Sequence, residues 1–306
     1  GSPVLNAGAP ALMVGASLLF ALMGVAVKVA AAHYGATEIV FYRALVGMAL
    51  ITLISRVRGL PLATPVPAMH FWRSLSGVSA LMLWFYGLTG LPLATAVTLN
   101  YTSSVWMALF LMGGAALMGT AKVDGRLVAT VLTGFAGVAM VLRPTLDQQQ
   151  LWYGLAGLLS GTLSAMAYLQ ISALGKAGEP ETRIVFYFSL AGAVAGAALT
   201  TVFGGWHAHT GWQGPAALLA TGVLATIAQM MMTRAYGIGR PLVNASLQYL
   251  GIVFSFLFGV LLFDDPVTWM AIGGMLLIAA AGLAATVLRA RSAPAEARAS
   301  QLPNDT

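Results

Sequence analysis

The sequence predicts an all-α integral membrane protein, with ten transmembrane helices in two inverted five-helix repeats. Three observations predict it. Charged residues are 8% of the 306 residues and hydrophobic residues 59%, whereas a soluble domain carries roughly 25% charged residues. The apolar residues fall into ten runs, each close to the roughly 20 residues a helix needs to cross a bilayer core of about 30 Å. Phrases in the first five runs return, in order, in the last five.

The ten runs cover about 8–32, 37–55, 70–88, 93–117, 124–142, 151–174, 182–203, 212–237, 241–262 and 267–290. Breakers separate them: Gly59 and Pro61, Gly90 and Pro92, Pro144, Gly178 and Pro180, Gly204-Gly205, Gly239 and Pro241, and Pro266. The polar remainder is too short for a soluble domain, and the runs lack the period-two alternation of barrel strands. Residues 8–142 form the first repeat and 151–290 the second. Residues 291–306, rich in Ala, Ser, Pro and charge, read as a disordered tail. Gly1-Ser2 reads as a cloning scar.

Charge sets orientation. Loops after even-numbered runs, with the tail, hold twelve of the 15 Lys+Arg: Arg56, Arg58, Arg73, Lys122, Arg126, Lys176, Arg183, Arg234, Arg240, Arg289, Arg291 and Arg298. Loops after odd-numbered runs hold only Arg143. Basic loops stay inside, so both termini are expected in the cytoplasm. The net charge of +6 is scattered singly and forms no phosphate-binding face, which argues against nucleic acid. No GxxxxGK[ST] loop is present, so ATP hydrolysis by this chain is not expected. With no Cys there is no disulfide or thiol chemistry.

The repeat is legible in three places. EIVFYRALVG at 38–47 returns as RIVFYFSLAG at 183–192, with Arg43 replaced by Phe188. SLLFALMGVAVK at 17–28 matches GLLSGTLSAMAY at 157–168 in position within its run. TLNYTSSVWMALF at 98–110 matches SLQYLGIVFSFLF at 246–258, so that Asn100 and Tyr101 correspond to Gln248 and Tyr249. A unit of five helices is odd, so its second copy runs upside down. Inverted repeats are an architecture of secondary transporters, with the substrate site near the midplane between the halves.

Ten spans, this five-plus-five repeat and the segment GLTGLPLATAVTLNYTSSVWMALF at 87–110 resemble the EamA-type exporters of the drug/metabolite transporter superfamily, in particular the aromatic amino acid exporters. The resemblance covers residues 8–290 and implies export of amino acids or related metabolites across the bacterial inner membrane. In that family a repeat typically ends its fourth span near an acidic residue. Asp264-Asp265 fit this in the second repeat, whereas the first has Gly119 and Thr120, with Asp124 only later.

Depth along each run selects candidate substrate-binding residues. Trp72, Trp84, Trp152, Trp206, Trp212 and Trp269 lie near run ends or in loops and read as interfacial belts. Trp106 lies near mid-membrane, where it either packs on a neighbouring helix or walls a cavity. Asn100 and Gln248 need partners in hydrocarbon; they either bond across the repeats or meet a substrate amine or carboxylate. Tyr101 and Tyr249 share that neighbourhood, and Gln229 lies deep in the eighth run. Lys28 and Arg43 are cations inside spans; each either snorkels outward or offers its charge to an anionic or zwitterionic substrate. Tyr42, beside Arg43, and Tyr168, at the end of the phrase matching the one that ends at Lys28, complete the set.

None of the nine carboxylates lies deep in a span, so a carboxylate proton relay is not expected. His33, His70, His207 and His209 fall at span ends or in loops and read as interfacial or solvated. No catalytic residue, metal site or cofactor is expected. The expected function is a secondary exporter of amino acids, including aromatic and other apolar ones, by alternating access. Its partners are small-molecule substrates and the lipid bilayer, and a monomer suffices. The alternative is a multidrug exporter of organic cations, which calls for an embedded carboxylate. An intramembrane enzyme would need a nucleophile with a base, or metal ligands, at one depth. A channel fits an apolar aromatic centre less well than discrete binding does.

Overall fold

The computed structural model of the chain describes residues 8–119, 125–147 and 150–301. Its helices are α1 (Ala9–Ala31), α2 (Ala36–Arg58), α3 (Pro67–Gly90), α4 (Leu93–Asn100), α5 (Ser103–Leu117), α6 (Gly125–Asp147), α7 (Leu151–Lys176), α8 (Glu181–Leu199), α9 (Gln213–Ile238), α10 (Pro241–Leu247), α11 (Leu250–Phe263) and α12 (Trp269–Gln301), with a π-turn over Thr200–Gly204 continuing α8. No strand occurs among the described residues. By length and composition, α1, α2, α7, α8 with its π-turn, and α9 can each cross a membrane, and α6, α11 and α12 contain shorter apolar stretches.

Local chemistry sets the ends. Pro falls in the first turn of α1 and of α3, where a missing N–H costs no helix bond. At the start of α2 the Glu38 carboxylate accepts the Gly35 N–H at 3.0 Å. Gly59, in the left-handed region at φ 63°, stops α2, and the Leu60 N–H turns back to the Ser55 carbonyl at 2.9 Å.

Three features depart from the expected spans. The fourth and ninth spans are each broken. Around Tyr101 and Thr102 the bonding tightens to a three-residue step, Thr102 N–H to Leu99 O. Around Gln248 and Tyr249 the Gly251 N–H reaches Gln248 O at 2.8 Å. No Pro or Gly marks the break in the fourth span, whereas Gly251 lies at the break in the ninth. The fourth span breaks where α7 approaches: a Cβ on Gly161 would stand 2.8 Å from Leu99 O and 3.0 Å from Asn100 O. Second, α3 begins at Pro67 rather than 70, which carries Arg73 two turns into the helix. Third, residues expected to be a tail from 291 continue α12 as far as Gln301. Their Ala, Arg and Glu content favours helix. Thr120, Lys122 and Asp124, which figured in the charge pattern and the family comparison, lie outside the described residues.

Helix α1 packs along α9, α3 along α7, α2 along α8, and α6 along α12, while α4 and α5 lie against α7 and α10 and α11 against α1. Large apolar side chains such as Leu53, Phe71, Leu132, Val194 and Leu261 face outward. An exposed apolar exterior around a buried core is how a helical bundle meets lipid. Trp72, Trp152, Trp206, Trp212 and Trp269 are exposed too. Trp84 is not: it is buried, edge-on to Phe20 with centroids 6.4 Å apart. Depth near a span end had suggested an interface, but the face of α3 on which it lies turns it inward.

Each end of the bundle carries a fastening that uses a tyrosine of the repeated phrase. At one end the loop after α2 is held to the start of α8. Tyr187 donates to Leu62 O at 2.6 Å, and Arg183 donates to Pro61 O at 2.8 Å. Thr64 and His70 bond Glu179, His70 at 2.8 Å, and Arg183 pairs with the other carboxylate oxygen. His70 is therefore buried and paired, not solvated at an interface. At the other end the loop after α8 is held to the start of α2. Tyr42 bonds His209 at 3.0 Å, Tyr34 bonds the other ring nitrogen at 2.7 Å, and Glu38 accepts the His207 N–H and pairs with its ring.

Glu179 gives a pH prediction. Burial alone would raise its carboxyl, but hydrogen bonds from His70 and Thr64 and the Arg183 charge outweigh this and hold it below the ordinary carboxylate range. A lowered folded value contributes stability above the unfolded value of about 4.3 and loses it as pH falls through the folded one. The melting temperature of detergent-purified protein is therefore expected to fall between about pH 5 and pH 3. Glu179→Gln is expected to flatten that slope; an unchanged slope would show that the cluster does not couple to folding.

Candidate functional site

Where α1, α3, α4, α7, α8 and α9 meet, they leave a small cavity in the bundle. Its polar wall is Arg73, Asn100, Ser164, Tyr168 and Gln229, and its aromatic wall includes Phe20, Trp84 and Phe188. The space open to water is about 40 Å³, room for a few waters.

The break after Asn100 puts that residue at the cavity. Its amide donates to Ser160 at 3.0 Å and to Ser164 at 3.2 Å, both on α7, so the bond runs between the two halves of the chain. Its Oδ1 is buried without a partner, as are Arg73 Nε and Trp84 Nε1. Buried polar atoms are normally satisfied. Several unsatisfied ones lie around this one cavity. Tyr168 stacks on Tyr236 at 5.0 Å and 13°, with its hydroxyl near Gln248 and Ser164.

Of the residues selected from the sequence, Asn100, Tyr101, Tyr168 and Gln229 line the cavity. Gln248 stands behind Tyr168. Arg43 stands behind Phe188, its guanidinium 5.0 Å from the ring centroid. Tyr249 is buried near Gly282 instead, and Trp106 is half-buried beside Phe110 on α5. Two candidates lie elsewhere. Lys28 neither snorkels nor reaches the cavity; it donates to Leu88 O at 3.2 Å and Leu91 O at 2.7 Å, neutralising the carbonyl end of α3. Tyr42 serves the loop fastening.

Sequence reasoning missed Arg73. It sits over Phe188 at 4.2 Å and donates to Gln229 Oε1 at 3.4 Å. Counting it with a cytoplasmic loop hid it. The available signal was Gly77, one turn on, which leaves room for the guanidinium: a Cβ there would overlap it. Among the described residues no cluster of three or more His, Asp or Glu could hold a metal.

An apolar helical bundle with a central cavity that mixes apolar and polar side chains, and with helices broken beside it, fits a membrane transport protein. Residues 8–143 match the EamA-like transporter family. Over 273 residues the chain is 30% identical to the pseudopaline exporter CntI of Pseudomonas aeruginosa, covering 89% of this chain and 94% of that protein. The chain therefore belongs to the EamA-like transporter family of the drug/metabolite transporter superfamily, a family of membrane transporters. It is also similar to mouse solute carrier family 35 member G1, 26% identical over 86% of this chain and 73% of that one. A riboflavin transporter of Rhizobium johnstonii is 29% identical over 56% of this chain and 55% of its own. A solved crystal structure superposes with a TM-score of 0.67 at 20% identity, covering 93% of this chain and 98% of that chain, and shows the fold alone.

Proposed function

We propose that this transporter is a secondary exporter of amino acids, aromatic and apolar ones included, and of related metabolites, working by alternating access of two inverted five-helix units. The observation that carries the reading is the closed central cavity, where a guanidinium and amides face aromatic rings. A carboxylate suits Arg73, an amine suits the Asn100 and Tyr168 oxygens, and an apolar side chain suits Phe20 and Trp84.

Packing supports the inverted repeat. Joining α4 to α5 and α10 to α11 gives ten spans, and replacing each span by the one five later maps the main interfaces onto one another. The first span on the eighth becomes the sixth on the third; the second on the seventh, and the fifth on the tenth, map onto themselves. The two broken spans also correspond, with Asn100 and Gln248 at equivalent places. Eleven basic residues remain on the proposed cytoplasmic side once Arg73 is set aside, which supports termini facing the cytoplasm of a bacterial inner membrane.

Among the described residues no carboxylate lines the cavity, which supports cargo moving down its own gradient without a carboxylate proton relay. The same lining disfavours organic cations. Purified protein in proteoliposomes is expected to carry radiolabelled phenylalanine or tryptophan with or without a pH gradient. Flux of cationic dyes alone, and only with a pH gradient, would overturn the reading.

A further inference from the structure

Arg43 and Arg73 are both buried, at 3% and 2% exposure, and both lean on the one ring of Phe188. Among the described residues neither has a carboxylate in ion-pair range, and the Nε of each is buried with no hydrogen-bond partner. Two carboxylates on elements that carry these residues or Phe188 are engaged elsewhere: Glu38, on α2 with Arg43, holds His207, and Glu179, just before α8, holds His70 and Arg183. A ring face and one amide at 3.4 Å compensate a desolvated guanidinium poorly. Two such cations side by side also repel. The repeat does not call for Arg43, since its equivalent in the second copy is Phe188 itself.

We infer that the cavity takes its cargo as a dianion, a molecule with two carboxylates, one for Arg43 and one for Arg73, on an apolar body that rests among Phe20, Trp84 and Phe188. The inference rests on the reading of this cavity as the cargo site, and within amino acids and related metabolites it favours dicarboxylates over the zwitterions. A zwitterionic amino acid satisfies one guanidinium and sets its ammonium against the other. A second carboxylate removes that conflict. Arg73 and Phe188 form the wall, and Arg43 reaches the cargo as the Phe188 ring turns aside during opening.

The test uses three probes that share a benzyl group and differ in charge: phenylalanine, 3-phenylpropionate and benzylmalonate. Binding to the detergent-purified full chain, read by ligand-induced thermal shift and titration calorimetry, is expected to be at least tenfold tighter for benzylmalonate than for either other probe. Arg43→Phe and Arg73→Gln are each expected to remove that advantage while leaving the ligand-free melting temperature equal or higher, because each discards an uncompensated charge. Equal affinity for the three probes overturns the inference, as does benzylmalonate binding that survives both substitutions. So does a lowered ligand-free melting temperature in Arg43→Phe with binding unchanged, which makes the arginine structural. Benzyl phosphate binding tenfold tighter than benzylmalonate overturns the dicarboxylate in favour of a phosphate ester. Proteoliposome flux is scored separately: tight benzylmalonate binding with no flux of any probe counts against the transport reading and leaves the charge preference standing.

Discussion

Gly161→Val is expected to destabilise the bundle strongly. Gly161 lies on α7 where α4 ends, and a Cβ there would come to 2.5 Å from Thr102 Oγ1, 2.8 Å from Leu99 O and 3.0 Å from Asn100 O. Two of these three atoms are backbone carbonyls, fixed by the helix and its break, and cannot rotate away as a long side chain can. Valine adds two methyl groups beyond that Cβ. Overpacking of this kind costs about 1–3 kcal/mol, and more where backbone must move. The melting temperature of the purified protein is expected to drop by about 5 °C or more. Asn100 would also lose its serine partners on α7, so flux should fall with stability. Gly113→Ala is the control, since nothing lies within 4 Å of a Cβ there. A Gly161→Val protein that melts within about a degree of the parent would show that the break does not depend on close approach by α7.

Gly77→Ala is expected to separate transport from stability. A Cβ on Gly77 would overlap the Arg73 guanidinium and stand 2.8 Å from the Phe188 ring. Here the obstacle is the tip of a flexible side chain, so the fold accommodates the methyl and Arg73 moves. The guanidinium then loses its seat on Phe188 and its bond to Gln229. A cation–π contact of about 0.5–2 kcal/mol and a hydrogen bond of about 1 kcal/mol are at stake. Together these correspond to roughly a tenfold loss of affinity or more. Flux in proteoliposomes should fall by that order, while the melting temperature falls by only a few degrees, the lost contacts being partly offset by the better helix propensity of alanine. Undiminished flux would mean that Arg73 does not hold cargo from its present position.

The spans were legible because composition and length decide them: apolar runs near 20 residues, punctuated by Gly and Pro, lie within a few residues of the observed helices. The breaks in the fourth and ninth spans were not. TLNYTSSVW carries no breaker at Tyr101 and Thr102, and the interruption coincides with packing against Gly161, 60 residues away. The site was half legible. Asn100, Tyr101, Tyr168 and Gln229 were found because a polar side chain deep in an apolar run needs a partner. Trp84 and Arg73 were misplaced because depth along a helix gives the height of a residue and not the face it occupies. Lys28 shows the converse error. It is at a plausible height, but the open carbonyls of Leu88 and Leu91 at the end of α3 satisfy it first.

The contact between Arg43 and Phe188 has a genetic consequence. On the inverted-repeat reading these are one and the same position in the two copies, and they meet across the axis that relates them. A half-length ancestor pairing with itself upside down could offer only like against like there. Two arginines would face each other in repulsion, or two phenylalanines would leave no charge for an anion. Placing a cation over an aromatic ring at that point requires two reading positions that mutate independently. Joining the halves into one gene made the pairing available, and with it an asymmetric centre in an otherwise symmetric frame.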